Sequence, residues 1–504
     1  MTTATEAIGA AAPGAGKTGT RKTGTRKTGM VTTGTAPTAA SASALAAYCS
    51  QRIFRPGPEV LIEGNPFRRP IGPPGAGGRD FSVPATEAEF LGTGQLVAGR
   101  VLCNAYESDM ILLPPAGLAS AKDDFELFYG DEVRALRDAV RPGLERYAFS
   151  FLDDAVSVPP VRTLEELQAY FLAEVGGAGA PADASGSNPA VDPAAGVNGT
   201  MKLITECRRP EEAAALHLVQ LALDALTEAS AMARNLGGSY GVEQSELFKI
   251  FNDEFGYGVY GAKHSTIFKE MLASVGLRTD VHAYWNFYLT SSLVGVNYFN
   301  WLTEDHRGMF RYMAAVTYLE WLFAQGFADT GAMLRAVYGD RVDAKYCDEH
   351  AHIDVHHGRM TYENLLLGLA RTHGELVIPE LVRGIEDTKL LLRLGDADFR
   401  AQIAWAGDLD RHTEAGAALA SRAADDAGTS TLRPDSPFCT GVYDTDRLVE
   451  VTSGEADVYA WATDRPHRLG AGDVLLVPRG RLHGLKAASP EARVTVRTVE
   501  RTSR

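Results

Sequence analysis

The middle of the chain, residues 201 to 400, constrains the fold most, because it carries one helical pattern after another and almost no strand signal. Pro210 followed by two glutamates is typical of a helix start, and Gly237 and Gly238 are expected to end that helix. Further helical patterns cover residues 243–255, 262–275, 281–303, 306–325, 343–372 and 376–394. The sequence therefore predicts a mainly α fold.

The stretch from Val281 to Thr303 carries no formal charge and is long enough to suggest a membrane span. It also contains Asn286, Asn297 and Asn300, whose side-chain amides are costly to place in lipid. We therefore expect this stretch to form a buried helix of the protein core, without contact with a membrane.

The segments that flank the helical block differ from it in composition. Residues 1–45 are rich in Ala, Gly and Thr and are predicted to be disordered; their AAPGAGKT string lacks the strand and the helix that a phosphate-binding loop requires. Residues 46–175 are predicted to form a mixed, largely helical region through which two chains pair as a homodimer. Within it, Gly94–Cys103 has the pattern of a strand. Linkers are expected at residues 176–200 and 415–436.

The last part of the chain, residues 437–504, has the alternation and the turn residues of β-strands. Its string GDVLLVPRGRLHG, Gly472–Gly484, resembles the second sequence motif of the cupins, so we predict a small all-β, cupin-like barrel. The earlier HxH pair of metal-binding cupins is missing, and Tyr443 and Thr445 stand about where it would lie. We therefore expect His483 to be structural and the barrel to hold no three-histidine iron site.

Charge and cysteine usage narrow the class of protein. The net charge of -15 argues against nucleic acid as a partner, because phosphate binding requires a basic surface. The five cysteines are isolated, without CxxC spacing, and the N-terminus shows no apolar run of the kind a signal peptide has. The sequence is thus typical of a soluble cytoplasmic protein of two to four domains.

One segment of the helical block, Tyr346–Met360, is unusually rich in side chains that bind metals. On a helix, His350, Asp354 and His357 share one face because they are spaced i, i+4 and i+7. A competing face holds Glu349, His352 and His356, and spacing alone does not choose between the two. Either set suits iron, manganese or zinc.

Other predicted helices carry acids or histidines on apolar faces. Glu320 is the only acid in the apolar segment 307–327, and burying its carboxylate requires a metal or another cation nearby. Glu254 and His264 each continue an apolar face, although a lone histidine in such a place is more often a hydrogen-bonded core residue. Glu228 has the weakest pattern and also fits a solvated stripe.

Three strings carry a resemblance to a known family. They are TEASAMARNLGG (Thr227–Gly238), NDEFGYGVYGAKHSTIF (Asn252–Phe268) and HAHIDVHH (His350–His357). Together they resemble the haem-oxygenase-like diiron oxidases and oxygenases. The resemblance implies a seven-helix core without haem, two ferrous ions, Fe(2+), per chain, and O₂ as co-substrate.

The resemblance also implies a set of metal ligands, residue by residue. The implied ligands are Glu228, Glu254, His264, Glu320, His350, Asp354 and His357. This set selects the first face of the histidine-rich helix and leaves Glu349 as an acid expected to orient the imidazoles. One departure concerns the ExxH motif of several relatives, whose glutamate is replaced here by Gly261. Glu254 would then have to supply the carboxylate from that segment.

The order of the predicted domains, a helical region, a diiron core and a cupin-like barrel, resembles that of N-oxygenases from natural-product pathways. By this resemblance we expect an oxygenase that oxidises the amine nitrogen of an amino-acid-like substrate and takes electrons from an external donor. Two alternatives stay open: a diiron oxidase acting at carbon, by desaturation or C–C cleavage, and a metal-binding scaffold without catalysis. A long apolar channel would favour the carbon oxidase, and acidic residues near the site would favour a cationic amine.

Overall fold

The structure is a computed structural model that describes residues 39–72, 78–176, 198–422, 428–462 and 465–499. It confirms the predicted fold class, a mainly helical protein with a small β domain at the end of the chain. The helices of the N-terminal region are α1 (Ala39–Cys49), α2 (Thr93–Glu107), α3 (Lys122–Phe128), α4 (Asp131–Phe149), α5 (Phe151–Ala155) and α6 (Leu164–Val175).

The central block consists of helices whose buried residues fall into two hydrophobic clusters, and α12 contributes to both. They are α7 (Gly199–Glu206), α8 (Pro210–Ala225), α9 (Val242–Glu254), α10 (His264–Ser274), α11 (Thr290–Glu304), α12 (Met309–Tyr338), α13 (Lys345–Met360), α14 (Leu367–His373), α15 (Ile378–Ala406) and α16 (Leu409–Leu419). A π-helical turn, Thr361–Leu366, joins α13 to α14. Among the described residues, none of the helices combines the length and the hydropathy that a membrane span requires.

Helix α12 is the central element, and glycines let its neighbours approach it closely. A Cβ atom at Gly358 of α13 would lie 3.0 Å from Trp321 Cα and 3.2 Å from the Glu320 carbonyl oxygen. Because these are backbone atoms of α12, a larger residue would push the two helices apart. The approach matters because α12 and α13 both carry predicted ligands.

The β domain consists of two antiparallel sheets. Its strands are β1 (Gly428–Leu432), β2 (Arg447–Ser453), β3 (Glu455–Tyr459), β4 (His467–Gly470), β5 (Val474–Val477), β6 (Gly484–Ala487) and β7 (Ala492–Thr498). The strand order is β1-β7-β2-β5 in one sheet and β4-β3-β6 in the other. In the larger sheet Val449 pairs with Leu475 on one side and with Val496 on the other.

The β domain shares its hydrophobic core with the helices. Ile403 and Trp405 of α15 belong to the same buried cluster as Val449 and Leu475 of the sheet. Polar contacts reinforce this packing, because the Gln402 side chain donates to the carbonyls of Ala460 and Leu482 and accepts from the Leu482 amide. The two parts therefore form one continuous core.

A second polar tie between the two parts is a buried ion pair. The Arg481 guanidinium donates to both the side chain and the carbonyl of Asp398, at 2.9 and 2.8 Å. Ser291 of α11 donates to the other oxygen of the same carboxylate, at 2.8 Å. These contacts join a β-domain turn to two long helices.

Several predicted boundaries are corrected by the structure. The strand predicted at Gly94–Cys103 is wrong, because this stretch lies in helix α2 and is buried all around; a short apolar run has no periodicity that separates the two. The linker predicted at 415–436 contains the end of α16 and strand β1. The helical block extends past residue 400, through the end of α15 at Ala406 and on to the end of α16 at Leu419.

Other predictions are corrected in part or fall outside the described residues. The predicted disordered tail overlaps α1, which begins at Ala39, while residues 1–38 and the AAPGAGKT string are not described. Of the linker predicted at 176–200, residues 177–197 lie outside the description. The helix expected from Val281 begins only at Thr290, because Trp285 and its neighbours form irregular turns.

Candidate metal centre

The structure brings the seven predicted ligand residues together in two adjacent groups. The first group is Glu228, Glu254, His264 and His350; the second is Glu320, Asp354 and His357. Within each group the candidate ligand atoms all lie within 4.8 Å of one another. The spacing suits one metal ion per group.

In the first group, ring nitrogens and carboxylate oxygens point at one another. His264 Nδ1 lies 2.6 Å from Glu254 Oε2 and 3.2 Å from His350 Nε2. His350 Nε2 is in turn 3.4 Å from Glu228 Oε1. Two imidazole nitrogens this close cannot both carry a proton toward each other, so a shared cation is a natural occupant of the space they face.

In the second group, one imidazole faces two carboxylates. His357 Nδ1 lies 3.4 Å from Glu320 Oε2 and 3.7 Å from Asp354 Oδ1. The three side chains are buried between α12 and α13. The group therefore offers a nitrogen and two anionic oxygens to one point.

Hydrogen bonds on the far side of two histidines fix which ring nitrogen faces each group. The Nδ1–H of His350 donates to the Tyr346 carbonyl at 2.9 Å, which leaves the Nε2 lone pair toward the first group. The Nε2–H of His357 donates to Asp253 Oδ2 at 2.9 Å, which leaves the Nδ1 lone pair toward the second. Metal-binding histidines are commonly held in this way by a carbonyl or a carboxylate.

The competing face of helix α13 points to solvent. Glu349, His352 and His356 are exposed, whereas His350 and His357 are buried. The expectation that Glu349 orients an imidazole is therefore wrong, and Asp253 takes that place from helix α9. The role of Asp253 could not be predicted from the sequence, because its partner His357 is 104 residues away in the chain.

Glu228 is not on a helix, which corrects the prediction of a helix running to Gly237. Helix α8 ends at Ala225, and Ala229 has a left-handed backbone with φ of 59°. The Tyr346 hydroxyl donates to Glu228 Oε1 at 2.6 Å and holds the carboxylate in place. A tertiary contact, and not local helix geometry, positions this side chain.

Glu254 and His264 meet because a tight loop separates their helices. Glu254 is the last residue of α9 and His264 is the first of α10. Between them, Gly256, Tyr257 and Gly258 all have positive φ, which reverses the chain direction. This loop lets Glu254 reach the histidine in the absence of an acid at position 261.

The electrostatics of the site favour added positive charge. Burial raises the pKa of Asp354 to about 7. Burial lowers the pKa of His350, but the carboxylates of Glu228, Asp354 and Glu254 together outweigh it and the pKa rises to about 10. In the same way the carboxylates of Asp253, Asp354 and Glu320 together outweigh burial at His357, and its pKa rises to about 12. Each shift favours the protonated form, so the clustered carboxylates require protons or metal ions.

Unpaired buried atoms show how a metal pair would fit. Glu228 Oε2, Asp354 Oδ2 and His357 Nδ1 are buried without a hydrogen bond. Unpaired buried polar atoms are costly, and all three belong to residues of the two groups. Four carboxylates and three imidazoles drawn from several helices are the donor set of diiron carboxylate proteins, so the residues fit a pair of iron ions.

A further carboxylate lies beside the first group. Burial, and then the carboxylates of Glu228 and Glu254, raise the pKa of Asp224 to about 7. Asp224 is nevertheless an exposed residue, so water reaches its carboxylate beside the first group. Among the described residues its carboxylate has no hydrogen bond or ion pair. The buried Tyr312, whose pKa is raised first by burial and then by Asp224, offers a hydroxyl without a described partner.

The β domain does not repeat the arrangement. In the described part of the chain, no group of three His, Cys, Asp or Glu side chains gathers around His483. Its Nδ1–H donates to the Arg481 carbonyl at 2.9 Å, and the Tyr443 ring lies 4.6 Å from its own. Tyr443 thus packs against His483.

The fold and the paired carboxylate–histidine groups define an iron-containing redox enzyme of the haem-oxygenase-like class. The family model described as "Iron-containing redox enzyme" matches residues 215–388, which include all seven site residues. The chain is also 37% identical over 463 residues to nitrosourea synthase of Streptomyces achromogenes subsp. streptozoticus, a match that covers 90% of this chain and 94% of the relative. The chain belongs to this family and is an oxidoreductase.

Proposed function

We propose that the protein is a non-haem diiron N-oxygenase. It uses O₂ to oxidise the amine nitrogen of a small, cationic, amino-acid-like substrate, with electrons from an external donor. Glu228, Glu254, His264 and His350 would hold one iron, and the second group would hold the other. When bound, two ferrous ions supply the electrons that O₂ requires, and carboxylates stabilise the oxidised metal pair.

The observation that carries this proposal is the unpaired carboxylate of Asp224 beside the site. The neighbouring carboxylates of Glu228 and Glu254 make the ionised form of Asp224 costly, and a cation beside it would lower that cost. A cationic amine bound beside Asp224 would offset the charge and place its nitrogen near the metal ions. A hydrocarbon substrate would leave the carboxylate unpaired, so the site favours a substrate that carries an amine.

The similarity to a known enzyme supports chemistry at nitrogen. The relative is named a nitrosourea synthase, and a nitrosourea contains an oxidised nitrogen. The buried faces of α12 and α13 supply the rest of the site. Hydrogen bonds from Tyr346 and to Asp253 orient the ligand atoms.

Metal content is the first test. Protein reconstituted anaerobically with ferrous iron should bind about two irons per chain, by the precedent of helical carboxylate sites. His350→Ala and His357→Ala should lower the iron content and abolish turnover. His352→Ala and His356→Ala are matched controls on the exposed face and should retain both. A single bound zinc without O₂ uptake, or equal damage from His356→Ala and His357→Ala, would contradict the proposal.

The type of reaction is tested by mass spectrometry. The ferrous protein in air should add oxygen to cationic amino acids such as L-lysine or L-arginine in preference to the neutral L-norleucine or L-citrulline. Products of desaturation or of C–C cleavage, without oxygen on nitrogen, would show that the enzyme acts at carbon instead.

A further inference from the structure

A surface pocket reaches the back of the candidate metal centre. Its volume is about 650 Å³, and it opens between helix α9, helix α13 and the π-helical turn. Asp253 and His357 form part of its lining. These are the residues joined by the 2.9 Å hydrogen bond that orients the imidazole.

The pocket is lined by Asp253, which accepts from His357 Nε2, and not by Glu320 or Asp354, which face His357 Nδ1. The ring donates its Nε2–H to Asp253, while Nδ1 points the other way, toward Glu320 and Asp354. A molecule in the pocket would therefore lie next to a ligand without access to the metal ions. This geometry excludes transfer of an oxygen atom to that molecule but permits transfer of electrons through the imidazole.

One residue that lines the pocket, Tyr257, has an exposed aromatic side chain. Tyr257 is 68% exposed, although its backbone is left-handed with φ of 54° between Gly256 and Gly258. The left-handed conformation of a non-glycine residue costs free energy. Because the ring is exposed, hydrophobic burial does not offset this cost. Strain of this kind is typical of residues kept for binding, and an exposed ring offers a flat face for stacking.

The polar groups of the lining suit a flat ring with an amide-like edge and an anionic tail. Asn252 offers a donor and an acceptor, and the Asn364 amide donates to Glu246 and keeps an oxygen as acceptor. Lys249 and Arg359 offer positive charge beside the acidic side chains of Asp253 and Glu363. Lys249 is paired with Glu246 and Arg359 with Glu363, but exposed pairs of this type are weak and exchange readily for another anion. The volume lies in the range of small-molecule sites.

We propose that this pocket binds a reduced flavin mononucleotide, which donates electrons to the metal centre through His357. The inference rests on the proposed function, because it requires an iron pair that consumes electrons. The flavin hydroquinone loses two electrons and two protons and becomes oxidised flavin, and two ferric ions each gain one electron. Oxidation of an amine to a hydroxylamine by O₂, with water as the other product, consumes those two electrons and two protons.

Binding is tested on the metal-free full-length protein with flavin mononucleotide as the probe. Quenching of flavin fluorescence should report a complex, and Tyr257→Ala should weaken it roughly 5- to 10-fold through loss of stacking. Tyr257→Phe should restore the affinity, and Lys249→Glu should weaken it through charge repulsion. Tyr260→Ala is the matched control, because Tyr260 is 75% exposed but does not line the pocket.

A second readout separates this inference from the proposed function. Wild-type protein loaded with ferric iron is mixed anaerobically with reduced flavin mononucleotide or with dithionite, and loss of the ferric absorbance is followed. If dithionite yields no ferrous pair that consumes O₂, the proposed function fails. If dithionite succeeds but Tyr257→Ala does not change flavin affinity, or only a redox protein reduces the iron, the flavin pocket is wrong.

Discussion

At the scale of single residues, the candidate centre depends on side chains that do not face the metal ions. Asp253 fixes the tautomer of His357 and Tyr346 holds both the His350 ring and the Glu228 carboxylate. Such contacts orient a ligand before a metal arrives, so the site loses little conformational entropy on binding. Their replacement should weaken metal binding without removing a ligand.

Asp253→Asn provides a test of this role. An amide can donate to His357 and so favour the wrong tautomer, with the proton on Nδ1. We expect iron affinity to fall about 10- to 100-fold, the effect common for residues that orient metal ligands. Titration with ferrous iron measures it, with the exposed Glu349→Gln as control. Equal affinities in the two variants would mean that the hydrogen bond does not orient the ring.

Asp224→Asn should stabilise the metal-free protein while it impairs function. The pKa of Asp224 is raised from 3.8 to about 7 in the folded state, so its ionisation opposes folding. Below pH 3.8 the aspartate is protonated in both states and the effect vanishes. It grows as the pH rises toward 7 and is constant above that value. Water that reaches the carboxylate screens the charge, so we expect a gain of about 1–2 kcal/mol above pH 7.

Thermal unfolding at several pH values measures this gain, and KM for a cationic amine should rise in the iron-loaded variant. Asp387→Asn is the contrasting control, because Asp387 is paired with Arg383 at 2.5 Å and with the Tyr298 hydroxyl at 3.0 Å. That variant should lose stability. A loss of stability in Asp224→Asn as well would show a structural role for Asp224.

At the scale of the elements, the two halves of the centre are held at a helix contact and at helix ends. Helices α12 and α13 approach closely at Gly358, next to His357 and across from Glu320. Glu254 and His264 instead occupy the end of one helix and the start of the next. The contact between α12 and α13 is sensitive to helix packing. The positions of Glu254 and His264 are sensitive to the loop between their helices.

Gly358→Ala should therefore lower both stability and iron content. Its Cβ would press on the backbone of α12, and overpacking of this kind costs about 1–3 kcal/mol. Gly326→Ala in α12 is the control, because nothing lies within 4 Å of its Cβ position. That substitution should stabilise by roughly 0.5–1 kcal/mol through helix propensity. Chemical denaturation and iron analysis of both variants check the contrast.

Features that depend on local spacing could be predicted from the sequence, whereas features that depend on contacts between distant residues could not. The spacing of His350, Asp354 and His357 is local, so a common helix face was predictable, although choosing that face required a family resemblance. Glu228 was predicted as a ligand but not its non-helical setting, because Tyr346 holds it from 118 residues away. Helix α2 was mistaken for a strand since burial on all sides removes the periodic signal.

At the scale of the whole molecule, the continuous core joins the β domain to the helices. Buried residues of α15 pack with those of the larger sheet, and the Arg481–Asp398 ion pair lies in the same contact. We therefore expect the two parts to unfold together. Disturbing their contact should affect the metal centre, which shares helix α12 with this core.

Arg481→Met tests this coupling. It leaves Asp398 buried without its cationic partner, and breaking a buried pair costs about 3–5 kcal/mol. We expect a single calorimetric transition at lower temperature, with loss of the helical signal and of the β signal together. Two separate transitions, with the helical one unchanged, would show that the β domain folds independently.

His483→Ala tests whether the β domain is a second active site. Only one histidine stands at a cupin motif position, so we predict no catalytic iron there and a product with oxidised nitrogen but no N–N bond. The variant should keep that product with at most a modest loss of stability. Loss of a third iron, or a changed product with intact substrate consumption, would identify a second site.

The shared core also has an evolutionary consequence. Selection can discard a domain that has lost its chemistry only if the remainder still folds. Here Trp405 packs under the sheet and Gln402 bonds to its turns, so a gene truncated after the helices would expose an apolar surface and aggregate. A β domain without iron would therefore persist in the lineage as a folding requirement, bound to keep its contact face.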